Sequence, residues 1–217
     1  MNNIPKNIRL SGGRVLDFSK PLIMGVLNVT PDSFSDGGRY RNPDDAVRQA
    51  RRMIDEKADI IDIGGESTRP GAERVGPEEE RRRVIPVIKA IRVFSDIPLS
   101  IDTTRSDIAR CSVEAGADII NDVSALRFDP EMASVAAALD TPVVLMHMLG
   151  TPKNMQNDPH YEDCIGEIKE FFDARIAYCV QNGIRKDRII IDPGIGFGKR
   201  IQDNLEIINR LDAFKAL

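Results

Sequence analysis

The sequence predicts an α/β fold, a TIM-type (β/α)8 barrel, on three observations. Six short apolar runs each close on a polar side chain, segments of helical period separate them, and no glycine-rich turn follows the first run. The runs are Leu22 to Asn28, Ala58 to Asp62, Pro98 to Asp102, Ala117 to Asp122, Pro142 to His147 and Arg188 to Asp192. Short stretches of Ile, Val and Leu without alternation suit strands buried on both faces of a parallel sheet. Strict strand–helix alternation implies right-handed crossovers, as in a doubly wound sheet or a barrel. A doubly wound fold would carry its glycine-rich turn where the polar loop VTPDSFSDGG stands here, which favours the barrel.

Each element has its own signal. IRLSGGRVLDF reads as a hairpin turning at Gly12-Gly13. Val47, Ala50 and Ile54 mark one helix; Ile165, Ile168, Phe172, Ile176 and Cys179 mark another; Leu205, Ile208 and Leu211 mark the last. Asn42-Pro43-Asp44-Asp45 and Asp129-Pro130-Glu131 place a capping side chain before proline and acids, the pattern of helix starts. Pro86 should kink the helix over 78–91 or move its boundary. No linker or charge block divides the chain, so residues 1–217 form one domain.

Composition narrows the function. With 217 residues, 41% hydrophobic and 29% charged, the chain has the make-up of a globular protein rather than a disordered tail. A net charge of −4 gives no sign of a nucleic-acid or membrane-surface protein. Cys111, Cys164 and Cys179 are scattered and lack metal-site spacing, as reduced thiols would be. The first twenty residues lack the apolar core of a signal peptide, and no apolar run is long enough to span a bilayer, so the expected location is cytoplasmic.

In a (β/α) barrel the carboxyl ends of the strands share the catalytic face. Asn28, Asp62, Asp102, Asn121, Asp122, His147 and Asp192 would together line a cup of carboxylates and amides. A carboxylate can accept two parallel N–H bonds, so the cup suits a flat heterocycle, and equally a sugar or a metal. Val29 to Tyr40 and Gly64 to Pro77 are long loops rich in Gly, Pro and hydroxyl residues, the composition of active-site lids. The segment from Gly194 to Lys199 lacks the spacing of a phosphate loop and reads as a tight turn that lets backbone approach a ligand held by Asp192. His147 is assigned a structural or pocket-shaping role, and the charge runs Glu78–Glu80 and Arg81–Arg83 a solvated helix face.

MGVLNVTPDSFSDGG (Met24–Gly38), DIGGESTRPGA (Asp62–Ala72), SIDT (Ser100–Thr103), IINDV (Ile119–Val123), VLMHM (Val144–Met148) and DPGIGFGK (Asp192–Lys199) resemble the dihydropteroate synthases in order and spacing. The two loop motifs set the chain apart from pterin-binding methyltransferase domains of similar architecture. Leu149 stands where many family members have Gln.

The resemblance implies a folate-pathway transferase. 4-Aminobenzoate would displace diphosphate from 6-hydroxymethyl-7,8-dihydropterin diphosphate to give dihydropteroate. It further implies that Asp102, Asn121 and Asp192 form the catalytic, pterin-holding set, with Met146 packing near the ring. Thr68 would contact diphosphate, and Phe34, Asp36, Arg69 and Pro70 would belong to the loops on the 4-aminobenzoate side. Asn28 would be the protein ligand of Mg²⁺, an ion that keeps waters and binds largely through substrate phosphates. Family members are usually homodimers.

The family also carries two further βα units, whose Ser-Arg-Lys and Arg-x-His motifs do not occur in these 217 residues. Six βα units and little synthase activity for the 217 residues alone are therefore expected. The alternative is a non-catalytic pterin-binding fragment, or a half-barrel completed by another chain.

Overall fold

The computed structural model describes residues 6–29, 43–66 and 75–217. Among them, six parallel strands lie side by side in chain order: β3 (Met24–Asn28), β4 (Ile60–Gly64), β5 (Leu99–Asp102), β6 (Ile119–Asp122), β7 (Val143–Met146) and β8 (Ile189–Asp192). The helices α1 (Pro43–Asp55), α2 (Pro77–Arg92), α3 (Ser106–Ala115), α4 (Met132–Leu139), α5 (Cys164–Gln181) and α6 (Ile201–Asn209) follow the strands in turn. This is the strand–helix order expected of a parallel α/β barrel sheet. Every residue of β4 and β7 is buried, which explains why these runs show no polar alternation.

Register decides which side chains meet. Asn28 pairs with Gly64, Gly64 with Asp102, and Asp102 with Asn121, so these four positions stand on one row across adjacent strands. Met146 pairs with Asp192. The polar residues that close the apolar runs are thereby gathered at the carboxyl ends of the strands.

The opposite end is closed by the N-terminal hairpin. β1 (Asn7–Arg9) and β2 (Val15–Asp17) pair antiparallel around a tight turn at Ser11–Gly13. Ile8, Leu10 and Leu16 pack on Ile60, Ile119 and Val144, the first two of which begin their strands. Asp118, just before β6, joins hairpin to barrel. Its Oδ1 accepts from Arg14 Nε at 3.0 Å and Nη2 at 2.7 Å; its Oδ2 accepts from Arg92 Nη2 at 2.5 Å and the Leu99 amide at 3.0 Å. Arg92 also donates to the carbonyls of Gly116 and Ile97.

Several local expectations need correction. The β4 run does not end at Asp62, because Ile63 and Gly64 continue the strand and leave Asp62 inside it. Ala46 and Ala50 form the buried stripe of α1, with Val47 at its edge. On α6 the buried side carries Asp203 and Ile207, while Leu205 and Ile208 are exposed, as is Leu211 in the turn that follows. At the helix start Asp203 closes a capping box, accepting from the Arg200 amide and guanidinium. α4 starts at Met132 rather than at Pro130, since Asp129 directs its carboxylate to the amides of Ser106 and Glu131. Helix α2 runs unbroken through Pro86, whose ring sits on the exposed side where the carbonyl it leaves unpaired can meet water.

Asp118→Ala should lower the unfolding free energy by about 3–5 kcal/mol, because two partly buried guanidinium groups lose their shared acceptor. Urea denaturation monitored by circular dichroism checks this; a loss below about 1 kcal/mol would place the hairpin's anchorage in apolar packing alone.

Candidate active site

The row at the strand ends is built around a missing side chain. A Cβ on Gly64 would lie 3.4 Å from Asn28 Oδ1 and 3.6 Å from Asp102 Oδ2. Glycine therefore leaves open the space into which the Asn28 amide oxygen and the Asp102 carboxylate both turn. One strand further, Asn121 donates from Nδ2 to Asp62 Oδ2 at 3.0 Å. That bond fixes the direction of the amide, so that Asn121 Oδ1 remains to accept. Asp192 ends β8, and its Oδ1 accepts from the Gly194 amide at 2.8 Å.

Electrostatics at this end run against ionisation. Asp102 is pushed well above the usual carboxylate range by burial, and the charges of Asp62, Asp122, Glu80 and Glu66 push the same way. Asp62 is also raised, by burial first and by the Asp192 charge besides, and its Oδ1 is buried without a hydrogen-bond partner among the described residues. Carboxylates so placed favour a bound group that brings N–H donors or positive charge.

The floor and one wall are apolar. Met146 is buried with Val123, Met148 and Met155, and Phe128 and Phe197 pack on that cluster. Beside it the segment after β8 runs hard against the end of β7. Gly194 has φ +67°, and a Cβ there would lie 2.1 Å from the His147 carbonyl oxygen and 3.1 Å from Met146 Cγ. Only glycine permits this approach, which agrees with reading Gly194–Lys199 as a close turn rather than a phosphate loop.

Two sequence-level candidates serve the scaffold. Asp122 is fully buried and folds back onto the amides of Ser124 at 2.7 Å and Leu126 at 3.1 Å, holding a turn in which Ala125 and Leu126 have positive φ. It staples the loop after β6 instead of lining the cup. His147 is buried among Phe171, Phe172 and Tyr161, and burial together with Lys199 pushes its imidazole down to about 3. These surroundings fit the structural or pocket-shaping role expected of it.

Three charged residues, Glu80, Arg105 and Lys199, escaped sequence reading. Glu80 belongs to a run assigned to a solvated face, yet it is buried. It accepts from Thr103 Oγ1 at 2.6 Å and is paired with Arg105. Arg105 also donates to Glu66 Oε2 at 3.2 Å and the Val75 carbonyl at 2.7 Å, while Arg83 donates to the Gly65 carbonyl at 2.9 Å. A signal was present: Glu80, Val84, Val87, Ile88 and Ile91 share one buried face at helical spacing. Lys199, buried beside His147, carried no such signal. Thr68, Arg69, Pro70, Phe34 and Asp36, expected on the diphosphate and 4-aminobenzoate sides, lie outside the described residues. No helix among the described residues is long and apolar enough to cross a membrane.

Residues 24–217 match the pterin binding enzyme family. The dihydropteroate synthase of Synechocystis sp. is 47% identical over 207 residues, which cover 95% of this chain and 72% of the relative. That of Escherichia coli K12 is 48% identical over 202 residues, covering 93% and 71%. In solved structures, the Yersinia pestis dihydropteroate synthase with a sulfonamide drug superposes with a TM-score of 0.88 at 46% identity, covering 94% of this chain and 74% of that one. The Xanthomonas albilineans dihydropteroate synthase with 4-aminobenzoic acid gives 0.89 at 47%, covering 96% and 74%. With its parallel sheet, its row of strand-end amides and carboxylates and these likenesses in sequence and fold, the chain belongs to the dihydropteroate synthases of the pterin binding enzyme family.

Proposed function

We propose that the strand-end cup is where a pterin diphosphate is held for attack by 4-aminobenzoate, the observation carrying this being the placing of Asp102 and Asn121 on one row, Asp102 turned toward the glycine gap, with Asp192 beside Met146. In the reaction the C–O bond between the pterin methylene and diphosphate breaks, a C–N bond to the arylamine forms, and the amine proton leaves to solvent. The products are 7,8-dihydropteroate and diphosphate, on the route to folate.

Each residue has a task set by its chemistry. Asp192 keeps Oδ1 on the Gly194 amide and offers the remaining lone pairs to N–H groups of the ring edge. Asn121, turned by Asp62, contributes an acceptor. Asp102, half-buried among like charges, gains most from the positive charge that develops at the methylene as diphosphate departs, so it is complementary to the transition state more than to the ground state. Met146 and its neighbours keep one side of the ring dry, which protects a cationic centre from water. An arylamine attacking such a centre needs no general base. Thr68 would meet the diphosphate, and Phe34, Asp36, Arg69 and Pro70 the aminobenzoate.

Asn28 fits a Mg²⁺ role. Its side chain is at the exposed end of β3 with Oδ1 toward the glycine gap, and the described residues hold no cluster of three or more His, Cys, Asp or Glu that would cage a metal. One protein oxygen suits an ion that keeps its waters and binds phosphate oxygens. When bound, Mg²⁺ supplies charge neutralisation for the diphosphate.

Three outcomes are expected. The chain binds 6-hydroxymethyl-7,8-dihydropterin diphosphate in calorimetry, and Asp192→Asn weakens it roughly 10- to 100-fold, the worth of a hydrogen bond to a charged group. Dihydropteroate formation that disappears in that variant identifies synthase action, whereas binding without turnover identifies a barrel that only holds pterin. In Asn28→Ala the gain in affinity that Mg²⁺ gives the diphosphate ligand vanishes while a pterin lacking diphosphate binds as before; equal loss for both would remove Asn28 from the metal role. Asp102→Asn abolishes turnover yet raises Tm at pH 7 by about 2 °C or more, the shift for ~1 kcal/mol in a chain this size. The sign follows from a folded pKa above the unfolded one: the stability linked to Asp102 is fully present below the ordinary aspartate value of 3.8 and is lost as pH rises through the raised value. The variant's advantage should therefore shrink as pH falls toward 4; a lower Tm at pH 7 would contradict it.

A further inference from the structure

The function just described makes no use of Lys199, yet its surroundings are unusual for a lysine. The side chain is buried, and four acceptors surround its ammonium: His147 Nδ1 at 3.0 Å, the Gly194 carbonyl at 2.9 Å, the Phe197 carbonyl at 3.0 Å and the His147 carbonyl at 3.3 Å. All four are neutral acceptors, since the imidazole is pushed down to about 3. With Nδ1 accepting, the ring proton is on Nε2. A lysine held only by dipoles costs desolvation without an opposite charge in contact to offset it, and its ammonium is driven down to about 8.

The position of this cation explains its presence. His147 follows β7, while Gly194 and Phe197 follow β8, so the ammonium pins two strand-end segments against each other. Both lead to Asp192. The Gly194 residue whose carbonyl receives Lys199 donates its amide to Asp192 Oδ1, and the His147 amide donates to the Asp192 carbonyl at 2.9 Å. Three carbonyl dipoles converge where the two backbones touch, an arrangement that repels itself unless a cation fills the centre. The same charge acts through space on Asp192, which otherwise faces Asp62 in a cup of like charges.

We propose that Lys199 is a positioning residue for ligand binding, its ammonium locking the segments after β7 and β8 so that the Asp192 carboxylate is held correctly turned toward the pterin. The proposal rests on the pterin-binding role of Asp192 given above. It adds a dependence of affinity on the charge of a residue that does not touch the ligand. The other titratable groups facing Lys199 are His147 on the β7 side, Asp192 on β8, Cys164 at the start of α5, Asp203 on α6 and Tyr161, whose hydroxyl donates to the Gly198 carbonyl at 2.9 Å; Arg127 acts on His147 from the loop after β6.

Two isothermal titration series against 6-hydroxymethyl-7,8-dihydropterin diphosphate, for the unmutated chain and for Lys199→Met, test this from pH 6.5 to 9.5. Titrating groups that do not feel Lys199, including those of the ligand, are common to both proteins and cancel in the ratio of affinities, while His147, pushed down to about 3, and Cys164, pushed up to about 11, stay neutral across this range. The expected ratio is at least tenfold in favour of the unmutated chain at pH 6.5 and falls toward one as Lys199 loses its proton. A ratio independent of pH, or affinities equal throughout, overturns the proposal. Lys199→Gln, which keeps N–H donors without charge, should behave like Lys199→Met if charge is what matters.

Should the variants not fold, the unmutated protein decides alone. In ¹⁵N NMR of the lysine side chains, the Lys199 midpoint must rise on ligand binding, by about one pH unit for a tenfold preference of the ligand for the protonated form. An unmoved midpoint refutes the coupling. Absence of ligand binding by the unmutated chain at every pH would instead sink the functional reading itself, so the two failures are told apart.

Discussion

Crowding of like charge at the carboxyl ends of the strands is the constraint to which the rest of this structure answers. Parallel register places Asp102 beside Asn121 and brings Asp192 level with Met146, and no rearrangement of side chains can separate them without slipping a strand. Three aspartates facing one cup repel one another and lose water together. The scaffold counters with oriented donors: the Asn121 amide on Asp62, the Gly194 amide on Asp192, Arg105 on Glu66 and Glu80, and the Lys199 ammonium behind the Asp192 turn. None of these removes the burial that keeps Asp102 hard to ionise. What remains is an unmet demand for N–H donors and positive charge, which a ligand can supply.

The two ends of the barrel treat the same chemistry in opposite ways. At the hairpin end Asp118 is buried, but two guanidinium groups and a backbone amide meet both of its oxygens. Its demand is met within the fold, and it holds hairpin to barrel. At the cup, Asp62 Oδ1 has no hydrogen-bond partner among the described residues, and Asp102 Oδ2 turns toward Gly64. One end contributes stability and the other gives some of it up, the division expected where one face of a barrel carries the chemistry.

Much of this was legible in the sequence because burial and chain direction were written in short Ile-rich runs with a polar residue at the end. Asn28, Asp102, Asn121 and Asp192 stand where those runs stop, and the strands end within a residue of them. Asp62 misled because Ile63 is as apolar as what precedes it, so the strand carries on past the first polar side chain. Leu205 and Ile208 misled because helical period reveals a stripe without saying which way it faces; the buried side of α6 carries Asp203 and Ile207. Glu80 was hidden by its neighbours Glu78 and Glu79, which are not buried. One-dimensional charge runs average over a helix that points each residue 100° from the last.

The residues that sequence reading missed share a physical reason. Glu80, Arg105 and Lys199 act between elements distant along the chain: Glu80 across to Thr103, Lys199 across to His147. Their contacts depend on the final approach of backbones, such as Gly194 against the His147 carbonyl, which no local propensity encodes. Ligand-touching residues of a barrel can be found at strand ends because the fold puts all strand ends in one place. The residues that hold them still have no fixed address, since any side chain long enough to reach behind a strand end can serve. Lys199 reaches Asp192 through a turn of the same segment, and its charge matters there because it is buried: in water the ammonium would be screened, while behind the cup it acts at close range on a carboxylate surrounded by others.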